Sequence, residues 1–146
     1  HEYMSIEIQP EDLNPGEEYE IPEEQVKKNF DVQRDKYIRE AILDIFSSKD
    51  GQEFISDMAS SEPSEMFSKG FDVYNEVRDH LAKKEGYEIV RSGLRSEYFN
   101  KNGAKVDMEG SYTDKAIAKL MVEHINRLGF NAPKGAEKLI AYFSKE

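Results

Sequence analysis

The chain has 146 residues, of which 38% are hydrophobic, and this supports one domain with a substantial core rather than two. It contains no cysteine, which excludes disulfides and thiolate metal sites. The sequence has no apolar run near the roughly 20 residues that a membrane span needs, and it has no signal-peptide pattern. We therefore expect a soluble cytoplasmic protein.

The net charge of −10 is concentrated at the N-terminus. Residues 1–25 carry nine acidic side chains and neither lysine nor arginine, whereas residues 26–146 carry 21 acidic and 20 basic side chains. Pro10, Pro15 and Pro22 predict that residues 1–25 form an acidic, largely extended arm. Residues 26–146 are predicted to form a single globular helical domain with a β-hairpin. The arm could bind a partner or simply solubilise the protein, because charge runs are usually solvated.

Three helices are predicted before the first strand. A helical pattern begins at Pro22 or Glu23 and predicts either one long helix or two pieces, with the strongest periodicity over residues 33–46. A second, short helix is predicted to open with a capping box at Asp50. A third begins at Pro63, a residue type that a first helical turn tolerates, and it ends near Gly86. Gly70 in its interior predicts either a close helix crossing or a kink. The predicted apolar stripe of the third helix is Met66, Phe67, Phe71, Tyr74, Val77 and Leu81.

After the third helix the pattern changes from helical to alternating, which predicts an antiparallel meander of two or three strands. Asn102–Gly103 is a strong signal for a two-residue hairpin loop, and such a loop would place Phe99 opposite Val106. A second two-residue loop at Ser92–Gly93 is predicted to join the first two strands. The predicted strands are residues 87–91, 94–101 and 104–109.

The best-specified helix begins at Ser111, which resembles an N-cap whose capping box is completed by Asp114. Gly129 can adopt the left-handed conformation that ends a helix, and this stop would bring Phe130 into contact with Ile125. The predicted buried face is Ala116, Ile117, Leu120, Met121, His124, Ile125 and Leu128.

A final short helix over residues 136–144 carries enough apolar side chains to dock on the rest of the domain. The sequence shows no internal repeat. The predicted fold class is therefore α+β: a mainly helical cluster of four to five helices with a small antiparallel β-meander or hairpin before the last two helices.

Few residues suggest catalytic chemistry. His80 follows Asp79, but no second histidine lies at metal-ligand spacing, so we interpret His80 as a boundary residue. His124 is interpreted as a core histidine satisfied by one hydrogen bond. Asp107 and Glu109 would lie on the same side of a strand. There they could bind Mg²⁺ in a hydrolase, or they could simply belong to the solvent-exposed face of a hairpin. We predict no cofactor and no metal site.

The region from Lys83 to Lys105 is the only basic island of the sequence. Winged-helix proteins place their wing in the same order, after their helices, and cations next to aromatic rings favour phosphate and base contacts. The helix before the hairpin is acidic, however, where a recognition helix should be basic. A winged-helix-like nucleic-acid-binding protein is therefore an alternative hypothesis.

The favoured hypothesis is a small intracellular protein-binding regulator or inhibitor, of the phage-encoded or bacterial kind. No catalytic grouping is convincing, and the charges are separated into an acidic arm and a basic hairpin. The acidic arm would bind a basic groove of a macromolecular partner, and the hairpin tip would make a second contact with that partner. A metal-dependent hydrolase is a further alternative, although enzymatic activity and a membrane partner are not expected. The predicted partner-binding residues are Glu17, Glu18, Glu20, Arg91, Arg95, Tyr98, Lys101 and Lys105.

Overall fold

Six helices and a three-stranded antiparallel sheet make up residues 22–146, the part of the chain that the computed structural model describes. Because the sheet precedes α5 and α6, the last two helices longer than one turn, the predicted α+β fold class is confirmed. A turn of 3₁₀ helix, Gly129–Asn131, joins these two helices. The elements are α1 Glu23–Phe46, α2 Lys49–Ala59, α3 Pro63–Lys84, β1 Glu88–Ser92, β2 Arg95–Phe99, β3 Lys105–Val106, α4 Met108–Ser111, α5 Asp114–Leu128 and α6 Ala136–Phe143.

The contacts of the chain divide it within α1, and residues Val32–Glu146 form one compact unit. The start of α1 belongs to the other unit, where the Gln25 side-chain amide donates to Asn29 Oδ1, one turn later, at 2.9 Å. Most of the predicted acidic arm lies outside the described residues, and the chain is helical from Glu23 onward. Among the described residues, no helix is both long enough and apolar enough to cross a membrane.

Helix α5 lies in the core of the compact unit, as its periodicity predicts. Ile117 and Met121 are fully buried, whereas charged side chains on its other face contact α1. Lys119 Nζ lies 2.7 Å from Asp35 Oδ2. Arg39 Nε lies 2.6 Å from Glu123 Oε2.

The caps of two helices differ from the predicted ones. The helix predicted from Ser111 begins at Asp114, and its cap is Thr113, whose hydroxyl accepts a hydrogen bond from the Ala116 amide at 3.1 Å. The preceding residues form the separate turn α4. In the same way the Ser48 hydroxyl, rather than the Asp50 carboxylate, caps α2. In both cases a hydroxyl residue directly before the first helical residue supplies the acceptor that the free amides need.

The end of α5 is also different. Gly129 has the positive φ (54°) that its position predicts. The expected contact between Phe130 and Ile125 is wrong, because Phe130 is completely exposed while Ile125 is buried. The chain continues into the 3₁₀ turn instead of folding back, with the Ala132 amide donating to the Gly129 carbonyl at 3.1 Å. This turn directs Phe130 into solvent.

Both hairpin loops differ by one residue from the predicted ones: the second is one residue longer and the first is shifted by one position. The strands pair Tyr98 with Val106, so the second loop contains three residues, 101–103, rather than two. The Asn100 side chain explains the longer loop, because its Oδ1 accepts hydrogen bonds from the amides of residues 102 and 104. The first loop is Gly93–Leu94, since Ser92 pairs with Arg95.

Gly70, on α3, leaves room for the Tyr142 side chain of α6. A Cβ at this position would overlap the Tyr142 hydroxyl and lie 2.8 Å from Tyr142 Cε2. The sequence left open a close helix crossing or a kink at Gly70, and the contact that the structure shows is with one side chain, which decides for neither alternative.

Candidate docking surface

The start of α5 is attached to α3 through a guanidinium group that is almost completely buried. Arg78, on α3, is 1% exposed. Its Nε donates to the Tyr112 carbonyl at 2.7 Å, and its Nη2 forms an ion pair with the Asp114 carboxylate. Among the described residues its Nη1 has no hydrogen-bond partner. Because an unpaired buried charge is very costly, Asp114 is the contact that makes the burial of Arg78 tolerable.

Arg95, at the start of β2, extends this network to the surface. Its Nη2 lies 3.1 Å from Asp114 Oδ2, and its Nη1 lies 3.0 Å from Glu109 Oε2. Its guanidinium carbon lies 5.0 Å from the centre of the Phe71 ring. Burial alone would raise the pKa of Asp114, but hydrogen bonds from Arg95 and Arg78 outweigh burial and hold that pKa below its usual range. Arg95 is therefore fixed in place and its charge is compensated within the fold.

Tyr98 is a core residue, which corrects its predicted role as a contact for a partner. Its side chain is 2% exposed, and its hydroxyl donates to Asp79 Oδ1 at 2.6 Å. Burial and this hydrogen bond raise the pKa of the Tyr98 phenol. Arg91 also approaches Asp79, with 3.6 Å between Nη2 and Oδ2. Tyr98 thus holds the sheet against α3 and cannot reach a partner.

The two remaining predicted contact residues of the meander are Lys101, in the loop of the second hairpin, and Lys105, on β3. Lys105 is paired with Glu97 across the sheet, at 2.9 Å between Nζ and Oε2. Lys101 is exposed in the loop and forms no ion pair within residues 22–146, although its aliphatic chain passes close to Gly86. The predicted acidic contacts Glu17, Glu18 and Glu20 lie outside the described residues.

Exposed apolar side chains lie on the first hairpin loop and on the neighbouring part of α3. Leu94 is 74% exposed and Phe67 is 57% exposed. Phe67 packs edge-to-face on Phe71, with 5.0 Å between ring centres, and Phe71 in turn contacts Arg95. The Asn75 side chain donates to the Leu94 carbonyl at 2.7 Å, which fixes the loop on α3. We call the surface formed by Phe67, Phe71, Leu94 and Arg95 the turn patch.

Sequence reasoning identified Arg95 but missed the rest of the turn patch. Phe67 and Phe71 were assigned to the buried stripe of α3, because they are four residues apart on its apolar side. Phe67 and Phe71 are partly exposed because the sheet covers only the later turns of α3. The spacing of apolar residues along a helix does not show where the sheet that packs on it ends. A leucine directly after a turn glycine, as at Leu94, is the one local signal that could have identified the loop as a contact point.

The acidic residues after β3 do not form the strand that was predicted. Asp107 caps α4, and its carboxylate accepts a hydrogen bond from the Gly110 amide at 2.9 Å. Glu109 lies within α4 and pairs with Arg95, so the two carboxylates do not share the face of a strand. Within the described part of the chain, no group of three or more histidine or carboxylate side chains gathers as a metal site would require.

The two internal histidines lie in different environments. His80 Nε2 lies 2.9 Å from Asp44 Oδ2 at a partly exposed position, as expected of a boundary residue. His124 is buried, with 6% exposure, but the hydrogen bond that was predicted for it is not formed with any of the described residues. Burial, and the nearby charge of Arg127, lower the pKa of the His124 imidazole.

Comparison of the chain with models of protein families, with curated proteins and with solved structures finds no match.

Proposed function

We propose that the protein is a small binding regulator or inhibitor that docks on a protein partner through the turn patch. The observation that carries this proposal is the exposure of Leu94. This large apolar side chain is 74% exposed, and its loop is fixed on α3 by the hydrogen bond from Asn75 to the Leu94 carbonyl. Exposed apolar groups rimmed by polar residues are typical of protein-interaction sites. Since Asn75 and Arg95 already fix the loop, docking would cost little conformational entropy.

The charges around the turn patch favour a protein partner over a nucleic acid. Arg95 and Lys105 each have a carboxylate partner within the fold. They offer little uncompensated positive charge to a phosphate backbone, which supplies most of the affinity in nucleic-acid binding. An apolar centre with a guanidinium at its edge instead suits a pocket lined by apolar groups and hydrogen-bond acceptors.

Replacing Leu94 by aspartate should weaken partner binding at least about tenfold, because it introduces a charge where the proposal places a desolvated apolar anchor. The matched control is Phe130→Asp, which introduces the same charge at an exposed apolar position outside the turn patch. The full chain and both variants would be compared as baits in quantitative affinity enrichment, followed by titration of the recovered partner. Equal loss in both variants, or loss in neither, would refute docking through the turn patch.

The acidic N-terminal segment is proposed to contribute attraction at long range. Its nine carboxylates without a basic residue would draw the chain toward a basic surface. We therefore expect partner affinity to fall as ionic strength rises from about 0.05 M to about 0.5 M, over which the screening length shortens several-fold. An affinity that does not change over this range would exclude the electrostatic contribution while leaving the turn patch to be judged by Leu94→Asp.

A further inference from the structure

A cleft lies between α2, the end of α5 and the segment that follows α5, on residues that take no part in the turn patch. Its volume is about 420 Å³, which is within the range of small-molecule sites. Its floor is formed by the buried residues Phe46, Ile55 and His124, and its apolar side walls by Leu128 and Pro133. The rim consists of Gln52, Ser56 and Asn131.

The described residues that line the cleft carry no formal charge at neutral pH, although 34% of the residues of the chain are charged. The one titratable group among its lining residues is His124, and burial lowers the pKa of this imidazole, so the ring is neutral. A neutral imidazole offers one N–H donor and one acceptor nitrogen. The cation that acts on His124, Arg127, is already paired with Glu123 at 2.9 Å, so a charged ligand would lose its hydration here without gaining a free counter-charge.

His124 is the feature that distinguishes this cleft from an ordinary surface depression. Its side chain is more than nine-tenths buried, yet its ring forms no hydrogen bond with the residues from 22 to 146. It lines the cleft and packs against Phe46, with 6.5 Å between ring centres. The enclosed side-chain atoms that lack a partner among the described residues are Arg78 Nη1 and Ser96 Oγ, so the ring nitrogens of His124 stay open to water. A ligand in the cleft can take the place of that water as the hydrogen-bonding partner of the imidazole.

We propose that this cleft binds an uncharged aromatic molecule that carries a hydrogen-bonding group, with the His124 imidazole as its principal polar contact. The apolar floor and walls suit a flat ring, and the rim offers further polar contacts. The Gln52 amide nitrogen donates to the Ser47 carbonyl at 3.1 Å, which leaves its oxygen as an acceptor. The proposal is independent of the partner docking described above.

Benzamide is a suitable probe because it combines one flat ring with an uncharged amide. Two-dimensional amide NMR on the full chain should show saturable shifts at the lining residues, with a Kd of about a millimolar or tighter for a ligand of this size. Benzoate, which has the same ring and a negative charge, should bind at least about tenfold more weakly. Equal affinity for the two compounds would overturn the proposal, as would an absence of saturable binding by benzamide, phenol and indole alike.

Two variants test the assigned contacts. His124→Phe keeps a ring of similar shape, and it should weaken benzamide binding about fivefold while leaving toluene binding unchanged, because only the hydrogen bond is lost. Ser56→Trp, at the exposed rim, should fill the cleft and abolish the binding of both compounds, whereas Ser68→Trp on the exposed surface of α3 should not. Thermal unfolding of each variant separates loss of binding from loss of folding. Benzamide binding that survives Ser56→Trp would place the ligand elsewhere and refute the assignment.

Discussion

Asp114→Asn should destabilise the folded chain by about 3 kcal/mol, because it leaves the guanidinium of Arg78 buried without a counter-charge. Arg78 is 1% exposed, and its contact with Asp114 is its only ion pair with a carboxylate among the described residues. The substitution preserves the size of the side chain, so the loss reports charge rather than packing. Chemical denaturation of the two proteins at neutral pH would measure it.

Glu109→Gln is the matched control for this experiment. Glu109 pairs with Arg95 just as Asp114 does, at 3.0 Å and 3.1 Å respectively, but the Glu109 side chain is 45% exposed. Exposed ion pairs contribute little, so the expected loss is about 0.5 kcal/mol. Equal losses of folding stability from the two substitutions would show that the burial of Arg78 does not determine the loss in Asp114→Asn. The double variant Arg78→Met, Asp114→Asn should lose less folding stability than the sum of the losses in the two single variants, because the buried charge of Arg78 is then removed.

The same ion pairs make stability depend on acid pH. The pKa of Asp114 is lower in the folded chain than in the unfolded chain, because hydrogen bonds from Arg95 and Arg78 favour the ionised carboxylate. Its contribution is therefore complete above the ordinary aspartate pKa and is lost as the pH falls through the folded-state value. The difference in stability between the original chain and Asp114→Asn should shrink over this acidic range, and a difference that stays constant would contradict this assignment.

The positions of the helices could be predicted because their apolar spacing reports burial along one continuous element. The starts of α2 and α5 could not, since Ser48 and Thr113 compete for the cap with residues of similar preference one or two positions away. The hairpin register depended on Asn100, whose side chain stabilises a three-residue loop that Asn102–Gly103 alone does not predict. Caps and loops are decided by single hydrogen bonds, which a periodic pattern does not contain.

The candidate surfaces were less predictable because each joins residues that are distant in sequence. Arg95 was identified from its charge, but its partners Glu109 and Asp114 became apparent only when α4 and α5 were positioned. Tyr98 was predicted to bind a partner because it lies among cations in the hairpin sequence, and the structure buries it against Asp79. A tyrosine on a strand can face either the helices or the solvent. A change of one residue in the strand register moves its side chain from one face of the sheet to the other.

Gly51→Ala should be the most damaging of the conservative substitutions at glycine, with an expected loss of about 3 kcal/mol, at the upper end for overpacking. Gly51 is buried in the first turn of α2, where that helix meets the end of α1. A Cβ at this position would overlap the Ile45 carbonyl oxygen and lie 2.6 Å from Phe46 Cα. Both obstacles are backbone atoms, so relief requires the corner between the two helices to open. The Ser48 hydroxyl, which donates to the same carbonyl at 3.1 Å, would lose its geometry.

Gly70→Ala is the matched control, because the added methyl group meets a side chain instead of backbone. The obstacle is the ring and hydroxyl of Tyr142, which can swing aside, and alanine is favoured over glycine in a helix by up to about 1 kcal/mol. The expected net loss is therefore about 1 kcal/mol or less, and Tyr142→Ala in the same chain should remove the clash. Thermal or chemical unfolding of the variants would compare the two positions directly. If Gly51→Ala costs no more than Gly70→Ala, the corner between α1 and α2 can open easily, and the close approach of their backbones is not a constraint on the fold.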